Sequence, residues 1–141
     1  MATDRHPTAV RRPPKPAAAL ALRVVAAAGL AVDAYVHADL TLLSAGARFT
    51  GQQGVFLLEA GVALGAALLV ASGRRRGSGL FAVLVAASAL AAVVTYRYVD
   101  LGPIGPLPDI YEPVWYPEKV VSVVGEATAL VAAGLLLRRR S

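Results

Sequence analysis

The sequence of 141 residues contains no cysteine. Disulfide bonds, thiolate metal sites and cysteine nucleophiles are therefore excluded for this chain. Charged residues are also scarce, at 16%, whereas hydrophobic residues make up 57% of the sequence. This balance is too apolar for an ordinary soluble domain of this length. Motifs of soluble enzymes are missing as well: there is no Walker loop, no GxGxxG at a strand–helix turn and no GxSxG elbow. The sequence therefore favours a membrane protein that is not an enzyme.

What the chain does contain is long blocks of Ala, Val and Leu. Blocks of about 18 or more apolar residues are typical of membrane-spanning helices. Four of them predict an all-α, four-helix transmembrane bundle with helices at about 17–43, 54–72, 79–99 and 118–137. The first block also follows a basic region, as in a signal peptide. It is too long for one, however, and continues through Asp33 to Leu43 without a clear cleavage site, so we interpret it as the first helix.

Two segments outside these helices differ in character. Residues 1–16 are polar, basic and rich in proline, which predicts a disordered tail ahead of a transmembrane domain at 17–141. The segment DLGPIGPLPDIYEPVWYP at 100–117 holds five prolines, so it cannot be one helix. It also carries Tyr111, Trp115 and Tyr116, which favour the membrane–water interface. We expect this segment to be ordered.

The basic residues indicate the orientation of the bundle. Ten of the fourteen Lys and Arg residues lie in the tail, the 73–78 loop and the C-terminus. The opposite ends hold only Arg48, Arg97 and Lys119, and Arg23 lies within the first helix. Because cytoplasmic loops are rich in Lys and Arg, both termini are predicted to be cytoplasmic and the 100–117 segment extracytoplasmic, in the plasma membrane. Short clusters beside apolar blocks are not typical of a nucleic-acid groove, so we expect no nucleic-acid partner.

Ionisable residues inside the helices predict a buried polar cluster. At a rise of about 1.5 Å per residue, residues 33, 37, 59 and 126 share one layer in the outer half of the bundle. Asp33 and His37 are four residues apart and project from one helix face. Such groups are costly in lipid, so they should face the bundle interior and pair. The predicted cluster comprises Asp33, His37, Glu59, Tyr96, Arg97 and Glu126. Its excess acid requires neutralisation by Arg97, protonated carboxylates or a bound cation.

Several roles for this cluster remain open. It can be a hydrogen-bonded network that fixes helix register. It can bind a divalent metal such as zinc, manganese or iron through His37 with Asp33, Glu59 or Glu126, although no HExxH or ExxH spacing supports this. It can handle protons or a quinone, because a histidine near carboxylates titrates close to neutral pH. The sequence requires no cofactor.

Two further features predict packing. Side chains of the 100–117 segment can cover the outer mouth of the bundle as a lid, with a surface loop as the alternative. The lid residues would be Asp109, Tyr111, Glu112, Trp115 and Tyr116. The spacing Gly61-x-x-x-Gly65 predicts tight packing of the second helix against another helix.

The segment GPIGPLPDIYEPVWYPEKVVSVVGEA at 102–127, the pair Val36-His37 and the phrase GVFLLEA at 54–60 carry a resemblance. They resemble an uncharacterised family of small four-helix integral membrane proteins of actinobacteria, loosely similar to the DoxX-like group. The resemblance covers most of residues 20–137. It implies the four-helix fold and brings no activity and no catalytic residues.

Two functional hypotheses follow. The first is a small accessory or scaffold subunit of a plasma-membrane complex, held together by its polar layer, with the lipid bilayer and a membrane-protein partner or a second copy as its contacts. The alternative is a carrier or redox-associated protein with a cation, proton or quinone site at the same layer.

Overall fold

The computed structural model describes residues 16–43, 51–73, 77–105 and 107–139. The predicted tail at 1–16 lies almost wholly outside them. Four helices occupy these ranges: α1 (Pro16–Leu43), α2 (Gly51–Ser72), α3 (Ser78–Tyr98) and α4 (Pro117–Arg138). Each is long and apolar enough to cross a membrane. For the described residues, the prediction of an all-helical fold with four helices long and apolar enough to span a membrane is therefore confirmed.

The ends of the helices follow local chemistry. α2 begins at Gly51, three residues before its predicted start, and so includes two glutamines, which are good helix formers. It ends before Gly73, whose φ of 61° lies in the left-handed region that glycine adopts without a steric penalty. α4 begins at Pro117, where the missing N–H of proline costs no helical hydrogen bond. Glu118 in the first turn of α4 complements the helix dipole.

The helices form a ring in which each packs against its neighbours in the sequence, and α4 closes against α1. α1 and α3 lie diagonally and make few contacts. Gly79 at the start of α3 lies against Leu137 at the end of α4, and Gly73 lies against Arg23 of α1. The helices therefore alternate in direction. We call the end that carries residues 99–116 the segment end, and the opposite one the terminal end.

The core of the bundle is filled mainly by alanine. Ten of the fourteen core residues from all four helices are alanines, and the other four are Leu30, Val70, Val85 and Leu136. The large apolar side chains point outward instead: Leu58 is 69% exposed, Leu68 64% and Val131 63%. This distribution suits helices in lipid, where association depends on close approach of small residues and the outer surface must be apolar.

The closest helix contact is a glycine crossing between α1 and α4. A Cβ atom added to Gly29 would lie 2.5 Å from the carbonyl oxygen of Gly125, and one added to Gly125 would lie 2.9 Å from that of Gly29. Real Cβ atoms do not approach this closely, so both positions require glycine. The tight packing predicted for Gly61 and Gly65 is wrong: a Cβ at either position meets nothing within 4 Å. Their spacing is right for packing, but they lie on a face of α2 that no other described helix covers.

The segment between α3 and α4 is held by backbone and side-chain hydrogen bonds. Gly102 and Gly105 have φ near 60°, and Ile104 pairs with Leu107 across the turn between them. The N–H of Tyr111 donates to the side chain of Asp109 at 2.9 Å. The N–H of Glu112 donates to the carbonyl of Tyr96 at 3.1 Å, which ties the segment to the end of α3.

Candidate functional site

A cavity of about 140 Å³ lies between the four helices at the segment end. All four helices and the 99–116 segment contribute to its wall. Much of the wall is apolar, with Val36, Val55, Phe56 and Val93 among its residues. The ionisable and hydroxyl side chains in it are His37, Glu59, Tyr96, Glu112, Tyr116, Lys119 and Ser122. An apolar cavity of roughly 150 Å³ accommodates benzene, so this one has the size of a single six-membered ring.

His37 is held in one orientation by the preceding turn of α1. Its Nδ1 lies 3.0 Å from Asp33 Oδ1 and 3.1 Å from the carbonyl oxygen of Asp33. Both oxygens are acceptors, so Nδ1 carries the proton and donates. In the neutral ring Nε2 is then an acceptor. The ring meets the edge of Phe56 at a centroid distance of 5.4 Å. His37 therefore offers the cavity a hydrogen-bond acceptor whose direction is fixed.

A serine joins the two deepest carboxyl groups. Ser122 Oγ lies 2.6 Å from Asp33 Oδ1 and 2.9 Å from Glu126 Oε1. Asp33 and Glu126 are both 0% exposed. The hydroxyl has a single proton and can donate to only one carboxylate at a time. The second contact is a hydrogen bond only when the other carboxyl group is protonated and donates to Ser122 Oγ. This geometry corresponds to a cluster that holds an extra proton.

The predicted cluster is thus brought together in part. Asp33, His37 and Glu126 form one hydrogen-bonded chain through Ser122. Glu59 lines the same cavity, but no described residue donates a hydrogen bond to its carboxylate, and its Oε1 is buried.

Arg97 and Tyr96 behave differently from each other. Tyr96 contributes to the cavity wall. Arg97 forms no ion pair with the three cluster carboxylates within the described ranges. Its guanidinium lies 4.9 Å from the ring centre of Tyr98 and 5.6 Å from that of Trp115. Within the described ranges, Arg97 therefore does not neutralise the cluster carboxylates by direct contact.

Residues of the predicted lid fall into two groups. Glu112 and Tyr116 line the cavity, whereas Asp109, Tyr111 and Trp115 are exposed. Burial raises the pKa of the Tyr116 phenol above its ordinary value, and the nearby carboxylates of Glu112 and Glu118 raise it further. Tyr116 therefore stays a neutral hydroxyl at the rim of the cavity at physiological pH.

Three residues of the site were missed by reasoning from the sequence. Ser122 is the link in the carboxyl chain, and its spacing of four from Glu126 could have indicated a shared helix face. Lys119 was counted only as a flanking charge. It is 9% exposed, and its Nζ donates to the carbonyl oxygen of Glu112 at 2.6 Å and lies 5.0 Å from the ring centre of Tyr116. Phe56 carried no signal beyond its apolar character.

The described part of the chain contains no group of three or more His, Asp or Glu side chains that could hold a metal ion. Comparisons with protein-family models, with curated proteins and with solved structures give no match to this chain. The DoxX-like resemblance therefore stays a prediction.

Proposed function

We propose that this chain is a small multi-pass membrane protein that binds a ring-sized, proton-donating molecule in the cavity beside His37. The observation that carries the proposal is the pair of unmatched acceptors in its wall. No described residue donates a hydrogen bond to the buried Oε1 of Glu59. The contacts of the His37 ring nitrogens within the described ranges are made by Nδ1, which leaves Nε2 as the second acceptor. Unpaired polar groups in an apolar wall are costly, so a ligand that brings O–H or N–H donors gains binding energy there. A quinol ring is one member of this ligand class.

The hydrogen-bonded chain behind His37 supports a role in receiving a proton. A proton accepted at Nε2 places a positive charge on the imidazole, and the Asp33 carboxylate at 3.0 Å stabilises that charge. These hydrogen bonds continue from Asp33 through Ser122 to Glu126. This is the proton or quinone alternative of the sequence-based hypotheses. The metal alternative is not part of the proposal, because it lacks a suitable ligand group in the described ranges.

Binding of phenol and anisole tests this proposal. The two molecules have similar rings, but only phenol carries an O–H donor. We expect purified protein in mild detergent to bind phenol about tenfold more tightly than anisole, since one good hydrogen bond in an apolar site contributes about 1 kcal/mol or more. The His37→Gln variant should fold normally and lose this preference in isothermal titration calorimetry. The matched control is Tyr35→Phe, because Tyr35 lies on the same helix and is 68% exposed. Equal binding of both probes to wild-type protein would contradict the proposal.

The accessory-subunit hypothesis is supported by a different feature of the same cluster. The hydrogen bond from Ser122 to Asp33 joins α4 to α1. Under this hypothesis its sole role is to hold the two helices in register. Under this hypothesis, His37→Ala lowers stability or complex assembly without changing the binding of any probe. The phenol experiment therefore separates the two functions.

From the basic residues we propose that the protein lies in the plasma membrane with both termini cytoplasmic and the 100–117 segment outside. The absence of cysteine makes a direct test simple. Val114 is 57% exposed, so Val114→Cys should react with a membrane-impermeant maleimide on intact cells. Ser141→Cys should react only after the cells are lysed. The reverse pattern would show that the bundle is inverted.

A further inference from the structure

The net charge of the cavity wall indicates the charge of the ligand that the cavity binds. Glu59 and Glu112 contribute two carboxylates, Lys119 one ammonium and His37 a neutral imidazole, so the wall has a formal net charge of −1. Asp33 and Glu126 lie directly behind His37 and together hold one proton, so they add one further negative charge there. Such a wall favours a cationic ligand over a neutral or anionic one.

The Lys119 ammonium does not neutralise Glu59. Its Nζ is engaged by the carbonyl of Glu112 at 2.6 Å and by the ring of Tyr116. Among the residues that the structure describes, no cation forms an ion pair with the Glu59 carboxylate. The partly buried Glu59 carboxylate therefore has no counter-ion among the described residues, and a cation from outside the chain can fill that role.

The shape of the wall argues for an organic cation. A metal ion needs several ligands at fixed distances, and the described residues offer no such group. The cavity instead combines two acceptors with apolar side chains and the aromatic residues Phe56, Tyr96 and Tyr116. Aromatic rings attract an ammonium group through their faces, and the apolar wall accommodates a hydrocarbon body.

We infer that the cavity binds a small organic ammonium ion, with its charged group at Glu59 and His37 Nε2 and its ring-sized apolar body against Val55, Phe56 and Val93. This inference rests on the proposed function and specifies the donor as N–H of a cation. A primary ammonium has three donors, enough for both unmatched acceptors. The Glu59 carboxylate is its counter-ion.

Benzylammonium and benzyl alcohol form the decisive pair of probes, because they have nearly the same shape and differ in charge. We expect full-length protein in mild detergent, at neutral pH, to bind benzylammonium about tenfold more tightly than benzyl alcohol in calorimetry, as charge-assisted hydrogen bonds are the stronger ones. Glu59→Gln should abolish this preference. Glu59→Asp keeps the charge and should keep the preference. Glu118→Gln is the matched control, since Glu118 is exposed and outside the cavity wall.

The outcomes separate the inference from the proposed function. Equal or tighter binding of benzyl alcohol to wild-type protein overturns the cation and leaves a neutral donor such as a quinol. A preference for benzylammonium that survives in Glu59→Gln overturns the placement of the ammonium group at Glu59. If wild-type protein binds neither probe nor phenol, both the inference and the proposed function are wrong. If Glu59→Gln fails to fold, the wild-type preference together with Glu59→Asp still decides, because the inference requires tighter binding of the cation to both.

Discussion

Replacing Gly29 with alanine should destabilise the bundle by about 3 kcal/mol, at the upper end of the cost of overpacking a core. The added Cβ would lie 2.5 Å from the Gly125 carbonyl oxygen and 3.0 Å from the backbone nitrogen of Ala129. Neither is the end of a flexible side chain, so α1 and α4 must move apart. That movement also lengthens the hydrogen bond between Ser122 and Asp33, which crosses the same pair of helices.

Glycines elsewhere in the chain provide matched controls for this experiment. Gly61→Ala and Gly65→Ala introduce the same methyl group where no atom lies within 4 Å. Both variants should be as stable as wild type or slightly more so, because alanine is the better helix former. Thermal unfolding in mild detergent, followed by circular dichroism, compares the three. If the Gly29→Ala protein unfolds at the same temperature as wild type, α1 and α4 do not cross at this point.

The second large effect is expected for Asp33→Ala, which should lower the free energy of unfolding by about 3 kcal/mol. Asp33 is 0% exposed and accepts hydrogen bonds from His37 Nδ1 and from Ser122 Oγ. Removing its side chain leaves both donors in the interior without that acceptor and opens a void between α1 and α4. Asp33→Asn retains an acceptor oxygen of the same shape and should cost clearly less.

Asp39 is the control for this substitution, since it is an aspartate in the same helix and is only half-buried. No hydrogen bond or ion pair of its side chain is seen in the described ranges, so Asp39→Ala should change stability by no more than about 0.5 kcal/mol. Unfolding titrations with a denaturing detergent measure both variants against wild type. Equal losses for Asp33→Ala and Asp39→Ala would mean that the cluster around Asp33 does not stabilise the fold.

The helices could be predicted from the sequence because each is a long, mainly apolar block with a clear end. Part of the cluster was also predictable. Asp33 and His37 share a helix face by their spacing of four, and counting residues placed Glu126 in the same layer. In the structure these three residues are joined as one chain.

Other contacts could not be predicted because depth along a helix does not give its rotation. Arg97 has the right depth, but its guanidinium lies over the rings of Tyr98 and Trp115 instead of the acids. The same limit explains the glycines. The spacing of Gly61 and Gly65 indicates a smooth strip but not which neighbour it faces. The crossing at Gly29 and Gly125 pairs one glycine from each helix and leaves no periodic signal in either.

The alanine-filled core has a consequence for how this protein tolerates variation. In most cores the damaging substitutions truncate a large side chain, because truncation leaves a cavity. Here the fully buried residues include Ala26, Ala63 and Ala86, which are 0% exposed. Truncating an alanine removes only one methyl group and leaves almost no cavity. The harm comes from enlargement, which pushes backbones apart. A complete substitution scan should therefore give an inverted profile: truncation tolerated over most of the interior, a methyl group penalised there, and bulky apolar residues accepted freely on the outer surface.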